Sequence, residues 1–271
     1  MTQAAQPRAA KPKSSIARQS AFLAGIFIVL TGCAGGDWGA RSGFPSSWQA
    51  VGDAAVEAAR QPGVWVPLSG ALVVGVGDLD DNISDWAVRE QPLFGRNAAD
   101  VSDTLLDVSL GIWAATTLLA PADAIGDRFR GTAVQASSIV LTGGISEGLK
   151  SLTGRTRPND ENNNSFPSGH ASQAAVRSYW ARTNLGHVDL PKGVQVGSSI
   201  ALHSLGYATA WARVEANRHF PSDVLAGLAL GNFMGKFMQA LFFESKPEPG
   251  TGLEVQVLPG GAALHFSAPL R

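Results

Sequence analysis

The stretch Pro167-Ser168-Gly169-His170 opens an apolar segment directly after the polar run at residues 159–165. The apolar segment has helical character, and the start of a helix presents free backbone N–H groups and the positive end of the helix dipole. A serine hydroxyl, a glycine amide and an imidazole at such a start can bind an anion. The sequence therefore predicts an anion site at this turn, provided that basic side chains elsewhere converge on it.

Two further local patterns supply those basic side chains. Six residues separate Lys150 from Arg157, which is followed by Pro158. Five residues separate Arg213 from His219, and three more separate His219 from Asp223. So many fixed residue types at set spacings are very unlikely to coincide by chance at ordinary residue usage. We therefore interpret the three patterns as one site.

The basic residues of this set are suited to a tetrahedral dianion. Arg157 and Arg213 offer planar arrays of N–H donors, and Lys150 offers a compact charge. Ser168 and the amide of Gly169 can add hydrogen bonds at the helix start. The set predicts a phosphate cradle.

Two histidines remain for covalent and proton-transfer chemistry. His219 precedes a helix whose first turn carries Asp223, so the carboxylate can reach one imidazole nitrogen, fix the tautomer and leave the other nitrogen as a nucleophile. His170 can then protonate a leaving oxygen and later activate water. These are the groups that phosphoryl transfer through a histidine requires.

At these residues the sequence resembles the phosphatidic acid phosphatase type 2 family, which includes bacterial class A acid phosphatases and vanadium-dependent haloperoxidases. The nine residues from His219 to Gly227, HFPSDVLAG, are especially similar. The resemblance implies an all-α helical bundle and a metal-free phosphohistidine mechanism. It implies His219 as nucleophile, Asp223 as its partner and His170 as acid and base. The phosphate-binding residues that it implies are Lys150, Arg157, Ser168, Gly169 and Arg213.

The expected activity is hydrolysis of a phosphomonoester or a lipid (pyro)phosphate, which makes the protein a phosphoric ester hydrolase. No cofactor is expected, and vanadate is expected to inhibit. Two alternatives stay open. One is a vanadium haloperoxidase, which would hold vanadate as a prosthetic group, and the other is a non-catalytic envelope lipoprotein. The expected substrate is a phosphate ester, and membrane lipid phosphates are among the candidates.

The amino terminus has the pattern of a secretory signal peptide. Four basic and no acidic residues precede the apolar run at residues 21–30, which is short for a membrane span. The run ends in Leu30-Thr31-Gly32-Cys33, which looks like a bacterial lipobox. We predict a signal peptide at residues 1–32 and lipidation of Cys33, the single cysteine of the chain. The alternative is an inert cysteine at the end of an ordinary transmembrane helix.

Lipidation of Cys33 predicts a periplasm-facing protein of the cell envelope, held on the bilayer by its lipid. Ala34 follows the cysteine and favours the outer membrane in a host with two membranes; the alternative is a multi-span inner membrane protein. Cleavage before Cys33 leaves 17 basic against 22 acidic residues, a net charge of −5. This charge argues against a nucleic-acid partner.

The rest of the chain is predicted as one helical domain with short additions. Residues 34–60 are interpreted as a glycine-rich tether and an amphipathic helix, residues 61–246 as the phosphatase domain, and residues 247–271 as a β-hairpin or tail. Within the domain, residues 64–77 are predicted as a buried helix, residues 78–85 as a solvated acidic helix start rather than a calcium loop, and residues 121–131 as a turn. Further helices are predicted at residues 103–119, 132–149, 171–182, 193–212 and 221–243.

Overall fold

The computed structural model describes residues 38–39, 47–243, 252–258 and 261–267. Within these residues the chain forms a bundle of eight α-helices followed by a two-stranded hairpin, which confirms the all-α prediction and its small β addition. The helices are α1 (Trp48–Ala59), α2 (Pro62–Val74), α3 (Leu79–Glu90), α4 (Ala98–Leu119), α5 (Ile125–Thr153), α6 (Gly169–Gly186), α7 (Lys192–Glu215) and α8 (Pro221–Phe242).

Helix α6 lies at the centre of the bundle and packs against α4, α5, α7 and α8. Its contact with α8 is very close because a glycine stripe on α8 faces it. A Cβ at Gly227 would lie 2.6 Å from the carbonyl oxygen of Ser168, and a Cβ at Gly231 would lie 2.3 Å from that of Ser172. Gly235 continues the stripe beneath the ring of Tyr179. This close packing fixes the start of α8 against the start of α6.

The start of each of these two helices follows from its local sequence. Ser168 is the N-cap of α6, and its hydroxyl oxygen accepts from the amide of Ala171. Pro221 occupies the first turn of α8, where a missing N–H costs nothing. A hydrophobic cluster that includes Ala171, Val214 and Val224 lies directly below both starts and holds them together.

The fifth helix begins earlier than the sequence indicates. Residues 121–131 were expected to form a turn because of their proline, aspartate and glycines, but α5 already begins at Ile125. Gly131 is not a helix breaker here. It admits the ring of Trp38, which would lie 2.8 Å from a Cβ at this position. Trp38 is buried, so the segment interpreted as a tether packs on the bundle at this point.

Helix α2 is less buried than predicted. Val64, Pro67 and Ala71 face the bundle, whereas Trp65 is 51% and Leu72 67% exposed. The uncharged sequence of α2 led to the prediction of a wholly buried helix. Its apolar outer face instead lies on the surface of the protein.

By length and composition, α8 is the one described helix that could cross a membrane by itself, and 67% of its most apolar window is buried in the bundle. Helices α2 and α3 pass the same test only as a pair, and they are bent by 96° at their junction. The predicted signal peptide and Cys33 lie outside the described residues.

The hairpin follows the alternating pattern of the carboxyl-terminal sequence. Strands β1 (Gly252–Leu258) and β2 (Gly261–Ser267) pair antiparallel. Their register aligns Leu253 with Phe266 and Val255 with Leu264.

Candidate active site

The predicted site residues meet at one end of the bundle, where α5 and α7 end and α6 and α8 begin. Lys150 lies in the last turn of α5 and Arg213 in the last turn of α7. Gly169 and His170 open α6, and Asp223 lies in the first turn of α8. The three sequence patterns therefore form one cluster in space.

Lys150 and the start of α6 form one side of this cluster. A Cβ on Gly169 would lie 3.2 Å from Nζ of Lys150, so glycine at this position lets the ammonium approach the helix start. Glu147, one turn earlier on α5, accepts from Nζ at 2.5 Å. Lys150 is 9% exposed, which places its charge inside the site rather than in solvent.

Arg157 and Arg213 bring two guanidinium groups to the same place. Both are largely buried, and within the described part of the chain the Nε atom of each is buried without a hydrogen-bond partner. Burial lowers the pKa of Arg213 to about 10, against the opposing effect of Asp103. Arg157 and Arg213 lie close enough that the charge of Arg157 adds to the lowering of the Arg213 pKa, and an anion between two such groups relieves their repulsion, so these side chains fit a phosphate group.

An acidic residue of the 159–165 loop lies next to Arg157. Glu161 lies 3.6 Å from Nη1 of Arg157 and accepts a hydrogen bond from Nη1 of Arg218. The hydrogen bond from Arg218 is the main cause that lowers the pKa of Glu161. Arg218 does not belong to the predicted set. Its guanidinium pairs with the carboxylate of Glu161.

His219 is almost completely buried, and its tautomer is set by a backbone group rather than by Asp223. Its Nδ1 lies 2.7 Å from the carbonyl oxygen of Ser165. Because a carbonyl oxygen only accepts, Nδ1 carries the proton and Nε2 keeps its lone pair. Asp223 Oδ2 lies 3.8 Å from Nδ1, beyond hydrogen-bond distance, which corrects the expectation of a direct carboxylate contact.

The protonation of His219 follows from its burial. Burial lowers the pKa of His219, the nearby carboxylate of Asp223 opposes this, and the charges of Arg213 and Arg157 add to the lowering. His219 is therefore neutral at neutral pH, as a nucleophile must be.

His170 is held by an aspartate that the sequence did not single out. Its Nε2 lies 2.8 Å from Oδ1 of Asp103, a residue in the first turns of α4, and the same oxygen lies 3.6 Å from Nη1 of Arg213. Burial and then the charge of Arg213 lower the pKa of His170 to about 4, against the raising effect of Asp103. Asp103 therefore lies close to both His170, the predicted acid and base, and Arg213, a predicted phosphate-binding residue.

The structure also corrects the interpretation of two polar segments. Asp80 was expected to lie in a solvated helix start, but it is 3% exposed and pairs with Arg155. Ser165 was assigned to a surface loop, but it is buried beside Asp223 and His219. Both segments are polar in sequence, and only the bundle shows that individual members turn inward.

Part of the chain is similar to known proteins. Residues 132–247 match a family model described as PAP2 superfamily. The chain is 34% identical over 101 residues to a protein of Porphyromonas gingivalis described as lipid A 1-phosphatase. That alignment covers 37% of this chain, and the chain spans about a fifth of the length of that relative, 21%. No solved structure matches the chain. The family match and the relative together support the PAP2 superfamily for the segment that carries the clustered lysine, arginines and histidines.

Proposed function

We propose that the protein is a phosphatase that hydrolyses a lipid phosphate through a phosphohistidine formed on His219. The observation that carries the proposal is the hydrogen bond from Nδ1 of His219 to the Ser165 carbonyl, which leaves Nε2 as a nucleophile. The two buried guanidinium groups of Arg157 and Arg213 beside it supply the binding site for the phosphoryl group. The similarity to the PAP2 superfamily supports the same assignment.

In the first step, Nε2 of His219 attacks phosphorus as the bond from phosphorus to the leaving oxygen breaks. His170 donates a proton to that oxygen, so the alcohol leaves in neutral form. A bound phosphate dianion beside His170 opposes the effect of Arg213 and favours the protonated imidazole that this step needs. Lys150, Arg157 and Arg213 neutralise the charge on the phosphoryl oxygens.

In the second step, His170, now neutral, takes a proton from a water molecule as the water oxygen attacks phosphorus. The bond from phosphorus to Nε2 breaks and inorganic phosphate leaves. His170 is then protonated again and His219 is free. Each cycle consumes one ester and one water molecule, and it requires no metal ion or redox partner.

The apolar surface of the protein supports a lipid as the substrate class. A largely apolar cleft of about 890 Å³ opens between α7 and α8, and its lining includes Pro221 and Val224 in the first turn after His219. This volume lies in the range of ligand pockets. The relative described as lipid A 1-phosphatase makes a lipid-linked phosphate the first candidate.

We place the protein in the cell envelope, lipid-anchored through Cys33 and facing the periplasm. Loss of membrane association in a Cys33→Ala variant tests this localisation.

A phosphate-release assay with soluble esters and lipid phosphates side by side tests the proposed function. We expect release of inorganic phosphate, preference for the lipid substrates, full activity in EDTA and inhibition by vanadate. No release from any substrate would contradict the proposal. Halide-dependent peroxidase activity of vanadate-loaded protein, without phosphate release, would instead assign a haloperoxidase, and lipid binding without either activity would assign a non-catalytic lipoprotein.

Replacing Asp103 with asparagine is expected to shift the pH dependence of the activity toward lower pH. The Asp103 carboxylate raises the pKa of His170 against burial and against Arg213, so removing its charge lowers this pKa further. Protonated His170 then persists only at more acidic pH, and kcat/KM above this pKa falls. The measurement is kcat/KM from acidic to neutral pH.

The matched control for this variant is Asp107→Asn, which removes an exposed carboxylate one turn further along α4. This variant is expected to leave the pH dependence of kcat/KM unchanged. An Asp103→Asn profile that coincides with that of the wild type would show that Asp103 does not act on His170.

A further inference from the structure

We propose that Asp80 and Arg155 are positioning residues that hold the His219 imidazole in its reactive orientation. The inference rests on the proposed function and extends it to two residues outside the phosphate cradle. They are joined to His219 through Asp223 and Ser165 by an unbroken series of hydrogen bonds.

The series begins at Asp80, in the first turn of α3. Its Oδ1 accepts from the backbone amide of Ser222 at 2.8 Å, and its Oδ2 accepts from Nη2 of Arg155 at 2.7 Å. The Ser222 hydroxyl also donates to Oδ2. Asp80 therefore ties the start of α3 to the first turn of α8, three residues after His219.

Arg155 forms the centre of the series. Its Nη1 donates to Oδ1 of Asp223 at 2.8 Å and to the Ser222 hydroxyl at 2.7 Å. Its guanidinium lies over the ring of Phe220, 4.3 Å from the ring centroid. The two Nη atoms are thus committed to carboxylates on α3 and α8, and the planar group is stacked on the residue that follows His219.

The series ends at the imidazole. Because Arg155 holds Oδ1 of Asp223, the other oxygen, Oδ2, is directed at the Ser165 hydroxyl at 2.5 Å and at the amide of Phe220 at 2.9 Å. The carbonyl of the same Ser165 accepts from Nδ1 of His219. Loss of either charge in the Asp80 and Arg155 pair therefore changes the position of the carbonyl that fixes the tautomer of His219.

The alternative is that this pair only stabilises the fold. Removing one partner of this partly buried ion pair leaves a charge without compensation and lowers stability in either case. Only the positioning role predicts a change in the imidazole itself. A 15N spectrum of selectively labelled histidine reports the tautomer directly, and the chain has only five histidines.

The experiment compares Asp80→Asn and Arg155→Gln, each of which removes one charge of the pair, with the wild type as purified full chains. We expect kcat to fall by about 10²-fold with KM little changed, because a displaced nucleophile affects the chemical step rather than phosphate binding. In the ligand-free variants we expect the 15N signals of His219 to show loss of the single Nδ1-protonated tautomer. The double variant is expected to lose less than the product of the two single effects, since both act through Asp223.

Asp81→Asn is the matched control, because Asp81 adjoins Asp80 in the first turn of α3 and is exposed. If Asp80→Asn does not fold, Ser222→Ala removes only the bridging hydroxyl and is expected to lower kcat several-fold with the same change in the His219 signals. Folded variants with unchanged kcat and an unchanged His219 tautomer would overturn the inference. If the wild type releases no phosphate from any substrate, the proposed function fails, but the tautomer of the ligand-free protein still tests the positioning role.

Discussion

Replacing His219 with alanine is expected to abolish phosphate release and to lower kcat by at least about 10⁴-fold, because no other described side chain can form the covalent intermediate at this position. The buried imidazole lies within electrostatic range of Arg213 and Arg157, and among the described residues its Nδ1 bonds to the carbonyl of Ser165 and lies 3.8 Å from Asp223. The fold is therefore expected to survive the substitution. The measurements are the phosphate-release rate and the detection of an acid-labile phosphoenzyme, which the variant is expected to lack.

His187→Ala is the control for this variant, since His187 is exposed at the far end of α6 and does not line the apolar cleft. It is expected to retain full activity. A His219→Ala protein that still turns over at the wild-type rate would rule out the phosphohistidine mechanism. Vanadate binding to the variant, if retained, would show that the cradle remains intact without the nucleophile.

Replacing Gly231 with alanine is expected to lower the free energy of unfolding by about 1–3 kcal/mol, although alanine is the better helix former. The added methyl group would lie 2.3 Å from the carbonyl oxygen of Ser172 and 2.7 Å from Cβ of Ala175. Helices α6 and α8 must then separate, which also displaces the residues at their starts. Urea unfolding followed by circular dichroism measures the loss, and the phosphate-release assay reports the displacement.

Gly111→Ala provides the comparison. Gly111 lies on the exposed side of α4, and a Cβ there meets nothing within 4 Å. Its replacement is expected to raise stability by up to about 1 kcal/mol through helix propensity alone. Equal effects of the two substitutions would show that the contact between α6 and α8 tolerates a methyl group.

The fold and the cluster of site residues follow largely from local sequence. Apolar periodicity predicts the helices, and the fixed spacings around Lys150, His170 and His219 identify groups that the bundle brings together. Both predictions depend on residues that are close together in the sequence, where the rules of helix geometry apply directly. Helix starts at prolines and at Ser168 are predictable for the same reason.

The residues that the sequence did not reveal act across long separations. Asp103 contacts His170, 67 positions away, and Asp80 contacts Ser222, 142 positions away. Asp80 lies in an acidic segment whose members look alike in sequence, so nothing local distinguishes this buried aspartate from its exposed neighbours. The side chain of Asp103 is 63% exposed, and it is one of three aspartates in the first half of α4, so nothing local indicates that it is the one that reaches His170. Arg155 lies two residues before Arg157, and this proximity to the predicted site was the sequence feature that pointed to it. The backbone carbonyl of Ser165 could not be foreseen, because every residue carries the same group.

Asp80 and Asp103 lie on α3 and α4, outside residues 132–247 that match the PAP2 superfamily. The matched segment therefore contains every proposed phosphate ligand, whereas one carboxylate that pairs with Arg155 and the one that lies 3.6 Å from Arg213 come from the preceding helices. In this architecture part of the negative charge around the site is therefore encoded ahead of the segment that carries the proposed phosphate ligands. Divergence at Asp103 on α4 can thus adjust the acidity at which the site works without changing any residue proposed to bind phosphate.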